Sequence, residues 1–151
     1  MYELLLSLHI LAASVWVGGG VMSHVFAHLA ARSQDPARQQ AFAADSEWVG
    51  GRVFGTAAGL TLLFGIALVI NGNWAFTDAW ILIGIAIWLG SMVIGAVFIT
   101  GEGKRLAAAV EVNGPGSPEA AQRLARITLL SRIDLAILVL AIFDMAIKPG
   151  A

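Results

Sequence analysis

Apolar positions fall into four long runs: Leu4 to Ala31, Trp48 to Ile70, Ala79 to Thr100 and Ile127 to Ile147. Each run is close to the roughly 20 residues needed to cross a hydrocarbon core of about 30 Å. Short alternating strands of about 10 residues are absent, which argues against a barrel. Inside lipid every backbone amide must find an internal partner, so the runs predict helices. The expected boundaries are 3–31, 48–70, 79–102 and 121–147, in a single transmembrane domain spanning 1–151. Turn chemistry separates the runs. Asn71-Gly72-Asn73 closes the second helix, and Asn113-Gly114-Pro115-Gly116-Ser117-Pro118 interrupts the third connection. Asp35-Pro36 predicts the start of a short helix over Ala37 to Ala44.

The polar and small positions predict which faces meet. In the first helix His9, Trp16, Gly20, Ser23 and Ala27 share one side. Leu4, Leu11, Val15, Met22 and Leu29 fall on the other, the expected lipid face. In the second helix Gly51, Gly55, Ala58, Leu62 and Gly65 recur at helical spacing, as do Gly84, Trp88, Ser91, Gly95, Phe98 and Glu102 in the third. Small residues let helix backbones approach closely in lipid. The expected fold is all-α, a left-handed antiparallel four-helix integral membrane bundle. The stripe of Gly51, Gly55 and Gly59 also offers a contact for a second copy or a larger membrane complex.

Composition narrows the class. The chain is 58% hydrophobic and 13% charged, against about 45–50% and about 25% in soluble domains. Its mean hydropathy is +0.81. A formal net charge of -1 gives no footprint for nucleic acid, and with no cysteine there are no disulfides or thiolate ligands. Arg32, Arg38, Arg52, Lys104, Arg105, Arg123 and Arg126 flank the first and third connections, whereas the opposite side holds Lys148 and the amino terminus. Positive charge favours the cytoplasm, so both termini are expected outside an inner (cytoplasmic) membrane. Trp74 and Trp80 are expected at the outer interface and Trp48 at the inner one. The first helix has no basic n-region and exceeds the length of a signal-peptide core, so it is expected to be retained.

Intramembrane polar residues are the candidates for chemistry. At about 1.5 Å per residue, His9 sits roughly 10 Å from the outer end of its helix, level with Asp144 and Met145 of the fourth. His9 either hydrogen-bonds a neighbouring helix or ligates a metal or haem, with Met145 a second ligand and Trp16 beside the site. His24 and His28, four residues apart, put two imidazoles on one face for a metal, or are interfacial polar groups. Arg52, Glu102, Arg132, Asp134 and Asp144 form the expected buried charge network. The pairs expected are Asp134 with Arg52, and Arg132 with Glu102 or Glu47. The midplane levels around Ile66, Gly90 and Leu138 carry no polar path, which argues against a transporter.

Arg52-Val53-Phe54-Gly55, Leu62 to Gly65, Trp74-Ala75-Phe76-Thr77-Asp78-Ala79-Trp80 and Asp144-Met145-Ala146-Ile147-Lys148-Pro149-Gly150 carry a resemblance. Over most of its length the chain resembles bacterial predicted integral membrane proteins, the domain-of-unknown-function family 2269. That likeness implies a membrane location without a particular activity. The stretch Leu8 to Gly19, with His9, Trp16, Gly18 and Gly19 as its marked positions, is also similar to two other families. These are the J-type protoporphyrinogen oxidase, a small membrane haem protein, and the copper-resistance D membrane protein. The oxidase resemblance implies b-type haem ligation by His9. The chain lacks the lysine that the oxidase family carries within a later membrane helix, since Lys104 and Lys148 lie at helix ends. The expected function is haem-b binding or redox work. The alternatives are a non-catalytic accessory or assembly subunit, and a small transporter or metal-handling protein using buried His, Arg and Asp.

Overall fold

The computed structural model describes residues 1–32, 48–114 and 116–150. The expected helix over Ala37 to Ala44, and Glu47 as a partner for Arg132, lie outside them. Among the described residues the chain is helical, without strands. Helix α1 covers Tyr2–Arg32 and α2 covers Gly55–Asn71, entered through a π-helical turn at Gly50–Phe54. Helix α3, Ala79–Val93, runs through a second π-helical turn, Ile94–Ile99, into α4, Thr100–Asn113. Helix α5 covers Pro118–Ile147. The third rod therefore continues past Glu102 to Asn113, because Gly101 and Gly103 do not break it before the helix-forming Ala107-Ala108-Ala109.

Helix ends follow the turn chemistry. Gly72 and Asn73 terminate α2, with Asn73 in the left-handed region at φ 54° and Trp74 N–H donating to Val69 O at 3.1 Å. Before α5, Gly114 and Gly116 take φ of 83° and 82°, and Ser117 Oγ caps by accepting from Ala120 N–H at 3.3 Å. Pro118 occupies the first turn, where its missing N–H costs nothing.

Among the described residues three rods are long and apolar enough to cross a membrane: Tyr2–Phe26, Gly50–Asn71 and Ala79–Asn113. The expected fourth, α5, has the length at 30 residues. However, every stretch of 18 residues within it holds at least three charges from Glu119, Arg123, Arg126, Arg132, Asp134 and Asp144. Its charge-free run is only Leu135 to Phe143.

Helix α1 packs along α2, α3 and α4 pack along α5, and α1 touches α5, while the backbones of the consecutive α2 and α3 stand further apart and meet through side chains. Two apolar clusters tie these elements. Trp16, Ala57, Ala58 and Leu138 form one, with Val17, Phe54, Trp88 and Met92 against it. Val69, Trp80 and Ile81 form the other, with Trp74, Ile85 and Met145. Trp88 Nε1–H donates to Ala58 O at 2.9 Å, linking α3 to α2 through a carbonyl freed by no break in the helix. The expected lipid face of α1 is exposed at all five positions, from Leu4 to Leu29.

The small-residue seams run true only as far as the π-helical turns. In these turns N–H groups reach back five residues, as Gly55 to Gly50 and Thr100 to Gly95. One additional residue rotates the chain by about 100°, which shifts the inward stripe. Gly51 and Gly55 are consequently exposed, and Phe54 and Ala58 carry the inward face of that rod. In the third rod Phe98 turns out, Ile99 takes its place, and Glu102 faces in again. Gly19 allows the closest approach of α1, since a Cβ there would strike the Phe54 ring.

Candidate functional site

His9 reaches α2 rather than α5. Its Nδ1 lies 2.9 Å from Thr61 O, and its ring rests on Gly65, where a Cβ would stand 3.3 Å from Cε1. A carbonyl only accepts, so Nδ1 carries the proton and the lone pair falls on Nε2. Among the described residues nothing hydrogen-bonds Nε2. The bare α-carbon of Gly65, one turn from Thr61, is what permits this docking.

Asp144 and Met145 are committed to α3. The Met145 methyl is pressed against Gly84, with Asp144 Oδ2 beside the same glycine, and Met145 packs on the cluster around Trp80. Asp144 is 7% exposed and its Oδ2 has no partner. The structure thus places His9 and Met145 against different helices. Trp16 is a core residue between α1, α2 and α5, 8% exposed. His28 is exposed and His24 half-buried with an unpartnered Nε2. Among the described residues no third His, Cys, Asp or Glu joins them.

The expected charge network takes a different form. Arg52 is exposed and stacks on Trp48, 5.5 Å from the ring centroid, so it does not pair with Asp134. Asp134 instead lies beside Ser91, although neither Asp134 Oδ1 nor Ser91 Oγ completes a hydrogen bond of good geometry. Glu102 is taken by Arg105 at 2.6 Å and Arg123 at 3.2 Å, not by Arg132. Arg123 also approaches Glu119 at 3.6 Å. Arg132 is exposed on α5, nine positions beyond Arg123, too far along the rod to reach Glu102. Sequence reasoning missed Arg105 and Arg123 as the partners. The i,i+3 spacing of Glu102 and Arg105 was the available signal.

At the opposite end, Trp80 is 7% exposed and packs against Val69 and Ile81. Lys148 Nζ sits over both tryptophans, 4.7 Å from the Trp74 centroid and 5.2 Å from that of Trp80.

Apolar rods, lipid-facing leucines and polar groups turned inward define a helical integral membrane protein. Within that class the chain belongs to the family described as predicted integral membrane protein (DUF2269), whose model matches residues 3–149. No curated protein and no solved structure matches it.

Proposed function

We propose that the chain is a haem-b-binding protein of the cytoplasmic membrane, with His9 as axial ligand, in an antiparallel four-helix bundle with both termini outside. The observation that carries this reading is the Nδ1 contact of His9 with Thr61 O, 2.9 Å. A backbone carbonyl that accepts the Nδ1 proton fixes the tautomer and the ring plane of a ligating histidine, and leaves Nε2 as the donor atom. The similarity of the first helix to the haem-binding oxidase supports the same position.

Met145 does not fit as the second ligand, because its methyl is already seated on Gly84. Among the described residues the His9 imidazole is the donor that would hold haem here, and the group would supply one-electron chemistry. The chain's contribution is orientation by Thr61, clearance at Gly65 and an apolar surround.

The spanning role of α5 is supported by the direction of its charges. Asp144 is buried and Asp134 half-buried, while Val139, Leu140, Ile142, Phe143 and Ile147 are exposed. Its outward side is thus apolar along the run from Leu135. The clustering of basic residues beside the first and third connections supports the orientation.

The test is an absorption spectrum of detergent-purified protein, oxidised and reduced. The expected result is a near-stoichiometric Soret band with reduced b-type bands, lost in His9→Ala and kept in His24→Ala, His28→Ala and Met145→Leu. Absence of the band after expression with ample haem, or its survival in His9→Ala, overturns the proposal.

A second reading rests on a different observation. Gly51, Gly55 and Gly59 are all exposed, and among the described residues only the Gly50 carbonyl of the same rod comes within 4 Å of a Cβ built on any of them. A bare glycine stripe on a lipid-facing helix suits association with another membrane helix, the contact of an accessory subunit or a homo-oligomer. Loss of the oligomer on Gly55→Leu, with the spectrum unchanged, separates this role from haem binding.

A further inference from the structure

Trp74 and Trp80 stand edge to face, with centroids 5.3 Å apart and planes at 89°. The Lys148 ammonium lies within 5.2 Å of both centroids. Two indole faces converging on one ammonium is the means by which proteins recognise organic cations.

The two indoles are built into the fold, whereas the ammonium is carried by the residue that caps its helix. Trp74 is held by its N–H to Val69 O at 3.1 Å, and Gly72 supplies the space that its indole occupies. Trp80 is buried among Val69 and Ile81. Lys148, in contrast, follows the last residue of α5 in a left-handed conformation, φ 49°, and precedes the exposed Pro149 and Gly150.

Lys148 also leaves needs unmet. One turn earlier in α5, Asp144 is 7% exposed with Oδ2 unpartnered, and the buried Trp80 Nε1–H has no acceptor. Asp144 Oδ2 lies against Gly84, one turn along α3 from Trp80. A carboxylate, an N–H donor and two ring faces thus gather at one end of the molecule.

We propose that Trp74 and Trp80, backed by Asp144, form a binding site for a small organic ammonium, with Lys148 as a tethered self-ligand that the external cation displaces. The ligand class is an aminoethanol or trimethylammonium group. It arrives either as a free amine or as the headgroup of a zwitterionic phospholipid, and the site lies at the helix ends, where headgroups sit. A tethered competitor acts at an effective concentration in the millimolar range, so the wild-type site binds weakly and removal of Lys148 exposes its full affinity.

The full-length protein in detergent is titrated with tetramethylammonium and with ethanolamine, and tryptophan fluorescence is recorded. Lys148→Gln is expected to give a saturable response about two- to five-fold tighter than wild type, the factor an accessible cation–π contact represents. Adding Trp74→Leu abolishes the response, and Trp74→Phe, which keeps a ring face, retains part of it. Repeating the Lys148→Gln titration in nanodiscs distinguishes the source. Phosphatidylethanolamine suppresses the response relative to phosphatidylglycerol if the headgroup is the ligand, and the two agree if it is a free amine. No saturable response in Lys148→Gln, or an equal one after Trp74→Leu, overturns the proposal.

Discussion

Three consecutive glycines in α1 offer an internally controlled test of how closely that helix approaches its neighbour. A Cβ built on Gly19 meets three atoms of the Phe54 ring, whereas Gly18 and Gly20 have nothing within 4 Å. In a helix interior, Gly→Ala gains up to about 1 kcal/mol of propensity. Gly18→Ala and Gly20→Ala are therefore expected to be neutral or stabilising. At Gly19 the same gain is opposed by overpacking, about 1–3 kcal/mol when a stiff group must move. Phe54 is such a group, since it packs on the Trp16 and Ala58 cluster and ends the π-helical turn. Gly19→Ala is thus expected to fall below the other two variants by about 1–3 kcal/mol, or at roughly 2–4 °C per kcal/mol, several degrees in Tm. Tryptophan fluorescence against temperature in one detergent reads all three. Phe54→Leu in the Gly19→Ala background should recover most of the loss. If the three alanine variants melt together, α1 does not approach the π-helical turn at Gly19.

Glu102→Gln and Arg123→Ala should each lower Tm, and the double variant should lose little more than either, because the two groups share one contact at 3.2 Å. Lys104→Ala on the exposed side of α4 is the neutral control, and the exposed Arg132→Ala is expected to resemble it. Trp88→Phe removes the indole bond to Ala58 O and should cost about 0.5–1.5 kcal/mol, read from the same melts. Cysteines introduced at Asn73 and Gly114 should label from opposite sides of intact cells. Epitope tags on the two termini should appear on one side if α5 spans, and on opposite sides if only three rods do.

The helices and the lipid face of α1 were legible because long apolar runs and a 3.6-residue period act through each residue's own position. The inward placement of His9, Trp16 and Gly84 followed from the same period. Phe98 and Gly51 were misplaced because a π-helical turn depends on local backbone hydrogen bonding that hydrophobic spacing does not encode. The pairing of charges was equally hidden. Depth along a rod ranks Arg132 and Arg123 as partners for Glu102 only if rotation and distance are known to within one turn. His9 and Met145 share a depth, and yet depth alone does not say which neighbour each one faces.

The contact pattern has a bearing on how the protein is made. Helices α1 and α2 emerge first and find each other at once, while the backbones of α2 and the next helix, α3, stand further apart. The partner that joins the two halves through Trp16 is Leu138, in α5, which is made after α3 and α4. During synthesis the early pair therefore waits with the Leu138 side of Trp16 and the Ala58 carbonyl uncovered. A chain severed within the Gly72–Asp78 turn keeps every interhelical contact that does not involve the turn itself. The halves made as separate polypeptides should accordingly find each other in the membrane, and an arrested nascent chain ending before α5 is the species on which quality-control proteases would act.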